Sequence, residues 1–237
     1  MKRIICAILA CALCASVSIG LSGCGCSNKT ETKPGYEVVP TEPDIKDGDF
    51  GFFILNENTV MISSYTGSGK DIKIPETIKD YKVTVIGRQV FQRKDIESVE
   101  IPDTVTEIQD YAFAANRTLK SVKFSKNLKI IGPSAFFLCE NLESVDLPAS
   151  LKEISDHAFS AAGLKSVTIP ESKTLTKLDQ FVFYQCQKLT EVTIPATITD
   201  IAKNTFNDCP NKITIKAPSG SYAANYAKTN NFDYKKI

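Results

Sequence analysis

One motif recurs six times over residues 83–215, and this repetition limits the possible folds more than any other feature of the chain. At Leu142 the motif reads L-E-S-V-D-L-P-A-S-L-K-E-I-S-D-H-A-F, and at Leu189 it reads L-T-E-V-T-I-P-A-T-I-T-D-I-A-K-N-T-F. The phenylalanines that mark it are 22, 23, 23, 24 and 23 residues apart. They are Phe91, Phe113, Phe136, Phe159, Phe183 and Phe206. A fixed period of this size is typical of a solenoid, in which each repeat forms one coil.

Each repeat begins with the apolar pattern L-x-x-V-x-I-P, continues with an aliphatic residue and x-x-I, and ends at the phenylalanine. The V-x-I portion alternates with period two, which favours a strand with one buried face. Proline lacks an N–H, so it should end the strand, although Ser125 and Lys216 replace it in two repeats. Residues 131–139, I-G-P-S-A-F-F-L-C, have a proline suited to the start of a helix and predict one short helical turn.

One repeat is too small to bury its own apolar side chains, so like side chains of successive coils should lie above one another. The pattern predicts four columns, of which the phenylalanines are the fourth. The first is Val99, Val122, Val145, Val167, Val192 and Ile213; the second is Ile101, Phe124, Leu147, Ile169, Ile194 and Ile215; the third is Ile86, Ile108, Ile131, Ile154, Leu178 and Ile201. Ile72-Lys73-Ile74-Pro75 reads as an earlier strand of the same kind, so we expect a parallel sheet of about seven short strands.

The repeat resembles the bacterial BspA-like leucine-rich repeat, whose pattern is close to L-x-x-L-x-L-P-x-x-L-x-x-I-G-x-x-A-F-x-x-C. The resemblance covers about residues 72–215, with departures at Val90, which precedes Phe91, and at Ser125. It implies a curved leucine-rich-repeat solenoid of the α/β horseshoe class, dominated by β-structure, with a parallel sheet on one face. It also implies a family found largely on bacterial surfaces and often linked to adhesion or host contact, with no shared active site.

The first residues have the pattern of a secretion signal. Lys2-Arg3 precedes an apolar run and the sequence L-S-G-C at residues 21–24, which is the order of a signal peptide with a small-residue cleavage site. L-S-G-C resembles the bacterial lipobox, in which the peptide is cut before a cysteine that is then lipidated. We therefore expect a signal peptide over residues 1–23 and lipidation of Cys24, with two acyl chains holding the protein at the cell membrane, outside the cell. A transmembrane anchor is the less favoured alternative.

The rest of the chain reads as one domain behind a tether. Residues 24–48 are polar with three prolines, so a flexible tether is expected there. Residues 49–237 should form a single leucine-rich repeat domain, with an N-terminal cap and first coil over 49–87, repeats over 83–216 and a C-terminal cap over 217–237.

The two caps have their own signals. Two apolar runs around Asn56-Glu57-Asn58 predict a hairpin that covers the first coil. Ser219 or Ser221 can begin a short helix that ends at Asn230-Asn231, with Tyr222 and Tyr226 over the last coil and a final strand after it.

The charge of the mature chain excludes one class of partner. The 28 basic residues less Lys2 and Arg3 leave 26 against 27 acidic residues, a net charge of −1. No large basic field can then attract nucleic acid. We expect a monomer.

The cysteines divide by position. Of the eight, three leave with the signal peptide, Cys24 is the lipid site and Cys26 lies in the tether. Cys139, Cys186 and Cys209 each follow a repeat phenylalanine by three residues. Cys186 and Cys209 lie in adjacent coils, within disulfide range, but a cysteine in such a column more often acts as a small buried side chain, and we favour that interpretation.

Catalytic and metal chemistry find little support. His157 is the single histidine, and the spaced cysteines lack zinc-like spacing, so we expect neither metal nor cofactor. A Ser-His-Asp arrangement could use His157 with Asp156, but neighbours in sequence usually point apart and no G-x-S-x-G turn occurs. The sequence predicts no catalytic residue and no enzyme.

The exposed strand positions are the candidate binding face. Stacking places Glu97, Lys120, Glu143 and Lys165 in one column and Glu100, Lys123 and Asp146 in another, so neighbouring charges alternate in sign. Such pairs first serve register and solubility, and the threonine row first reflects strand preference. The candidate residues are Glu100, Lys123, Asp146, Thr168, Thr193, Thr214, Ser98, Ser121, Ser144, Ser166 and Glu191.

The expected function is recognition of a protein or glycan by this face, at the surface of a bacterium. Two alternatives remain open at this point: an envelope hydrolase with the solenoid as scaffold, which loss of turnover on mutating His157 would favour, and a passive spacer without a specific ligand.

Overall fold

In the computed structural model, which describes residues 45–210 and 212–237, the repeats stack as coils of one solenoid. The predicted signal peptide, Cys24, Cys26 and most of the predicted tether lie outside the described residues. The strands are β1 Ile45–Asp47, β2 Phe50–Asn56, β3 Thr59–Tyr65, β4 Asp71–Lys73, β5 Thr77–Ile78, β6 Tyr81–Ile86, β7 Ser98–Glu100, β8 Glu107–Ile108, β9 Ser121–Lys123, β10 Ile130–Ile131, β11 Glu153–Ile154, β12 Ser166–Thr168, β13 Lys177–Leu178, β14 Glu191–Thr193, β15 Asp200–Ile201, β16 Thr214–Ala217 and β17 Asp233–Lys236; the helix α1 is Tyr222–Thr229.

The predicted phenylalanine column is confirmed. Successive rings from Phe91 to Phe206 are nearly parallel, with interplanar angles of 3° to 11° and centroids 5.0 to 5.9 Å apart. All six side chains are buried. Because each ring packs against the equivalent ring of the next coil, the column fixes the phase of every repeat along the axis.

The V-x-I portions form the predicted parallel strands, but in two sheets instead of one. Strands β4, β7 and β9 make the first sheet, and β12, β14, β16 and β17 make the second. Residues 144–146, which the pattern predicts as the strand between them, have no strand conformation. The interruption coincides with Phe124, which stands where the neighbouring repeats have Ile101 and Leu147 and packs edge-on against Phe136, with centroids 5.5 Å apart.

The predicted register of the last coil is wrong by two residues. Ile215 pairs with Val192, Thr214 with Glu191 and Lys216 with Thr193. Ile215 therefore belongs to the first column, and Thr214 does not continue the row of Thr168 and Thr193. The reason is the length of the coil: Val192 and Ile215 both follow their phenylalanine by nine residues, whereas the predicted match of Val192 with Ile213 would leave a coil too short to stack.

The third column is also a sheet, which the sequence did not predict. Ile62, Ile86, Ile108, Ile131 and Ile154 pair in parallel through β3, β6, β8, β10 and β11. The strands β13 and β15 continue the column as a separate pair. Between the two groups Pro170 is followed by four residues before Leu175, two more than in the neighbouring repeats, and the hydroxyls of Ser172 and Thr174 donate to Leu151 O at 2.9 and 3.0 Å.

The segments around the phenylalanines are not helical, so the helical turn predicted over residues 131–139 is wrong. Tyr111 and Ala115 have φ of 56° and 59°, and Ser134 and Leu138 repeat this pattern one coil later. Every second N–H donates to the next coil, as in Phe113 N to Ala135 O at 2.9 Å. An α-helix would instead use these N–H groups within its own segment. The turns therefore bind the coils to one another.

The N-terminal hairpin is confirmed, and it continues the solenoid. Strands β2 and β3 are antiparallel, and β3 pairs in parallel with β6 of the first coil. Tyr65 lies 5.1 Å from Phe91, measured between centroids, and so extends the aromatic column. Strand β1 pairs with β2 through a turn at Gly48, where φ is +58°. The strand β1 therefore lies inside the predicted tether of residues 24–48.

The C-terminal cap is confirmed with one exception. Ser221 caps α1 by accepting a hydrogen bond from Ala224 N at 3.2 Å, and β17 pairs in parallel with β16. Tyr226 is 7% exposed and faces Phe206, with centroids 6.5 Å apart. Tyr222 is 42% exposed, so only one of the two tyrosines packs on the last coil.

The aromatic column generates a stability prediction. Phe136→Ala removes a fully buried ring with a neighbour on either side, and we expect a loss of about 3–5 kcal/mol in the free energy of unfolding, measured by urea denaturation. Phe137→Ala, at the adjacent half-buried position outside the column, is the matched control and should cost at most about half as much. An unchanged midpoint for Phe136→Ala would show that the rings do not support one another.

Candidate binding face

The predicted candidate residues lie together on one surface, the exposed side of the V-x-I strands, which we name the sheet face. Two rows of side chains run along it. The first row is Ser98, Ser121, Ser144, Ser166, Glu191 and Thr214, and the second is Glu100, Lys123, Asp146, Thr168, Thr193 and Lys216. Thr214 thus belongs to the first row, and Lys216 occupies the place in the second row that the sequence predicts for Thr214. The strand register places the other candidates as the sequence predicts, except Ser144 and Asp146, which lie in the segment without strand pairing.

The predicted charge alternation produces ion pairs at three places on this face. Lys120 Nζ lies 2.7 Å from Glu97 Oε2, Lys123 Nζ lies 2.6 Å from Glu100 Oε1, and Lys165 Nζ lies 2.6 Å from Glu143 Oε2. Lys70 adds a second cation to Glu97 at 2.9 Å. Each of these pairs joins neighbouring coils and so supports their register.

Two predicted pairs are not formed within the described residues. Lys120 does not meet Glu143, and Lys123 does not meet Asp146. Both missing pairs would join the coil of β9 to the coil that contains residues 144–146, where the sheet is interrupted. The interruption therefore separates charges that the repeat pattern places opposite one another.

The ion pairs change the acidity of their carboxyl groups. Hydrogen bonds from Lys120 and Lys70, reinforced by their charges, lower the pKa of Glu97 to about 2. A hydrogen bond from Lys123 lowers the pKa of Glu100, and one from Lys165 lowers the pKa of Glu143. These three carboxylates remain charged in mildly acidic solution and hold their lysines in place.

A cavity of about 640 Å³ opens on the sheet face beside the interruption. It is lined by parts of β4, β7 and β9 together with Asp146, Leu147 and Pro148. Lys73, Lys126 and Asp71 also line it, although the sequence did not single them out as candidates. The signal for Lys73 and Asp71 was available, because Ile72-Lys73-Ile74-Pro75 reads as a strand of the same kind. Lys126 had no such signal, since it follows the strand.

The charges around this cavity differ in how they are bound. Asp71 accepts a hydrogen bond from Ser98 Oγ, and Glu100 is paired with Lys123. Lys73 and Asp146 make no ion pair with a described residue. Lys126 Nζ is 3.9 Å from Asp103 and its side chain is 86% exposed. Charges of both signs are thus available to a ligand at this place.

The C-terminal part of the sheet face has a different chemistry. Its rows carry hydroxyl groups at Ser166, Thr168 and Thr193, and its charges are paired, with Lys216 Nζ 2.6 Å from Glu191 Oε1. The sheet face therefore consists of an N-terminal part with unpaired charges and a cavity, and a C-terminal part rich in hydroxyl groups.

The three cysteines of the repeats are free thiols with a shared structural role. Cys139, Cys186 and Cys209 donate to the carbonyls of Phe113, Phe159 and Phe183 in the preceding coils, at 3.2 to 3.4 Å. Burial raises the pKa of Cys139 to about 12 and that of Cys209 to about 11, and it also raises the pKa of Cys186. Thiols this weakly acidic are poor nucleophiles.

Asn116 occupies the same column and has the same role. Its Nδ2 donates to Phe91 O and Phe113 O, both at 2.7 Å, and its Oδ1 accepts from Lys94 N at 3.0 Å. The position three residues after the phenylalanine therefore serves to bond the coils, whichever of the two residue types fills it.

His157 belongs to an aromatic group on the turn side of the solenoid. Its ring is stacked on Phe181 with centroids 4.7 Å apart, and Tyr184 stands perpendicular to both rings. Within residues 45–210 and 212–237, neither Asp156 nor a serine hydroxyl bonds to the imidazole, and no cluster of three or more metal-ligating side chains occurs. No helix in this part of the chain has the length and apolar character needed to cross a membrane.

The comparisons with known proteins agree with this architecture. The sequence model of the BspA type leucine rich repeat region matches residues 84–214 in six copies. A leucine rich cell surface protein from Faecalibacterium prausnitzii is 30% identical, with a TM-score of 0.62; the match covers 76% of this chain and 56% of that one. A leucine-rich repeat protein from Bacteroides ovatus is also 30% identical, with a TM-score of 0.64, and the match covers 73% of this chain and 47% of that one.

A leucine-rich repeat protein of T. pallidum shares the fold at 19% identity, with a TM-score of 0.62 and coverage of 81% of this chain and 98% of that one. No curated protein matches the chain. The chain spans about half the length of the F. prausnitzii and B. ovatus proteins.

The ion pairs of Glu97 generate a prediction about acid stability. Glu97→Gln removes the carboxylate that Lys70 and Lys120 share, and it should destabilise the fold at neutral pH. Because the pKa of Glu97 lies at about 2, below its ordinary value of 4.5, the contribution of this carboxylate is complete above pH 4.5 and is lost as the pH falls through about 2. The urea midpoints of the two proteins should therefore differ at neutral pH and converge between pH 4.5 and 2.

Asp146→Asn is the matched control for this experiment, since Asp146 is an exposed carboxylate of the same face without an ion pair. Its midpoint should follow that of the unmodified protein at each pH. A constant difference for Glu97→Gln down to pH 2 would contradict the role of the lysines.

Proposed function

This chain belongs to the BspA-type leucine-rich repeat family of bacterial surface proteins, and from that premise we propose that it is a lipid-anchored binding protein that recognises a macromolecular partner with its sheet face. The partner is a protein or a glycan outside the cell, and binding serves adhesion or contact with a host or neighbouring cell. The protein carries no catalytic site in this proposal.

One observation carries the proposal: the cavity on the sheet face is bordered by exposed charged side chains that form no ion pair between coils. Lys73 and Asp146 contribute no ion pair between coils, unlike the pairs of Glu97, Glu100 and Glu143. A repeat protein needs exposed polar residues for solubility, but these need not converge on a cavity. Their convergence favours a ligand over a passive surface.

Binding rather than catalysis is supported by the state of the reactive side chains. The ring of His157 packs against Phe181 and Tyr184, and Cys139 and Cys186 are buried beneath the turns. A hydrolase would need a nucleophile and a base within hydrogen-bonding reach of one another. Among the described residues, no such pair supports the alternative of an envelope hydrolase.

The anchoring part of the proposal rests on the sequence at residues 21–24 and has its own test. In cells fed labelled palmitate, the unmodified protein should carry the label and sediment with membranes, because two acyl chains anchor stably. Cys24→Ala should carry no label. Cys26→Ala, two residues away, is the matched control and should be labelled as usual. Equal labelling of the Cys24→Ala protein would rule out lipidation at Cys24.

The binding part is tested with the chain from residue 25, which contains every described element, on panels of bacterial and host proteins and glycans. The face variant combines Ser121→Arg and Thr193→Arg, which place two long cationic side chains on the sheet face. The control variant combines Thr176→Arg and Thr199→Arg, at exposed threonines that border β13 and β15 on the other sheet.

We expect the unmodified protein and the control variant to retain the same ligand, and the face variant to lose affinity by about tenfold or more. Equal retention by the face variant would show that another surface binds. If the unmodified protein retains no protein and no glycan, the result would favour the alternative of a passive spacer without a specific ligand.

A further inference from the structure

The N-terminal part of the sheet face offers one ligand site with charges of both signs. Lys73 lies on β4, Lys126 follows β9, and Asp146 lies in the segment 144–146; all three are exposed and line the same cavity. Among the described residues Lys73 and Asp146 form no ion pair, although the charge of Lys73 helps to lower the pKa of Glu100, and Lys126 reaches Asp103 only at 3.9 Å. A ligand that satisfies all three must itself carry both an anionic and a cationic group.

The interrupted strand explains why the unpaired carboxylate lies here. In the regular coils a lysine one coil away neutralises the acidic side chain, as Lys123 neutralises Glu100 at 2.6 Å. Asp146 occupies the next position of that row, but the segment 144–146 is not hydrogen-bonded as a strand to β9, and Lys123 pairs with Glu100 instead. The charge of Asp146 is therefore left for a partner.

The chemistry of the lining discriminates between classes of ligand. Phe124 is the aromatic residue that lines the cavity, and it is 8% exposed, with its ring held edge-on against Phe136. The cavity thus offers no open ring face on which a sugar could stack. The lining carries three carboxylates, Asp71, Glu100 and Asp146, and three lysines, Lys73, Lys123 and Lys126, so it has no net positive charge to attract a polyanion such as a nucleic acid or a sulfated glycan.

The size of the cavity fits a short extended segment. From β4 through β7 and β9 to residue 146 the lining crosses three steps between coils, or about 14 Å at about 4.8 Å a step. An extended polypeptide covers that distance with about four residues. Four residues are sufficient to present one acidic and one basic side chain.

We propose that the site lined by Lys73, Lys126 and Asp146 binds an extended polypeptide segment that carries at least one acidic and one basic side chain. The acidic side chain meets Lys73 and Lys126, and the basic side chain meets Asp146. The C-terminal part of the sheet face, with its hydroxyl groups and paired charges, lies outside this site. The inference rests on the proposed function, because it specifies the partner of the same face.

The test uses a library of random twelve-residue peptides and, in parallel, an array of neutral and sulfated glycans, both offered to the chain from residue 25. Peptides retained by the unmodified protein should combine acidic and basic residues, and their affinity should fall steeply with rising salt. Asp146→Lys should lower the affinity for these peptides by about tenfold and select more acidic sequences. The pair Lys73→Glu and Lys126→Glu should select more basic ones.

Matched controls make the same charge changes away from the cavity. Asp200→Lys replaces an exposed aspartate on β15, and the pair Lys129→Glu and Lys152→Glu replaces two exposed lysines outside the sheet face. Both should leave peptide affinity within about twofold of the unmodified protein. Unchanged thermal unfolding of all variants would show that the fold is intact.

The failure of this inference is distinct from the failure of the proposed function. Suppose that the unmodified protein selects glycans, or peptides without charge, while the face variant binds neither. That result would overturn the mixed-charge polypeptide and leave the sheet face as the binding surface. Selection of peptides that bind the face variant equally well would overturn both.

Discussion

Stacking of like side chains from coil to coil is the interaction on which the rest of this structure depends. The phenylalanine rings lie 5.0 to 5.9 Å apart and nearly parallel, so each coil is held at about the spacing that parallel strands require. A coil buries its apolar residues only through its neighbours, and its length is therefore constrained. The coil from Phe159 to Phe183 has 24 residues, and the hydroxyls of Ser172 and Thr174 bond its longer segment after Pro170 to Leu151 of the preceding coil. Irregular lengths thus need local compensation.

The same dependence on neighbours makes the two ends special. The first and last coils each have one side without a repeat, and in both cases aromatic residues outside the repeats complete the column. Tyr65 and Phe50 continue it at the N-terminal end, and Phe232, 5.8 Å from Phe206, closes it at the other. Strand β17 then forms the edge of its sheet with exposed Lys235 and Lys236, and charged edge strands oppose pairing with further chains. The caps therefore end both the apolar column and the hydrogen-bonded sheet.

The sequence was sufficient for the features that depend on the period and insufficient for those that depend on a neighbouring coil. The phenylalanine column, the V-x-I strands and both caps follow from spacing and residue type. The interruption at 144–146 does not, because Ser144-Val145-Asp146-Leu147 has the same pattern as its neighbours and the larger side chain belongs to Phe124, one coil earlier. The turn segments look helical locally, yet their N–H groups bond to the next coil. In the last coil, Ile213-Thr214-Ile215 resembles Val192-Thr193-Ile194, and the predicted register based on that resemblance is wrong. The number of residues after Phe206 gives the observed register.

The candidate site shows how a regular fold limits its own surface. Where the coils are regular, the charges that alternate along the sheet face are used between neighbours, as in the pairs of Glu97 with Lys120 and Glu100 with Lys123. Such side chains are held by the fold and have little capacity left for a ligand. The sequence could place Asp146 on the face, but only the structure shows that its expected partner, Lys123, is engaged by Glu100. The charges available to a partner therefore lie beside the segment 144–146, where the sheet is interrupted. This one irregular coil, rather than the repeat pattern, determines where the surface can bind a ligand specifically.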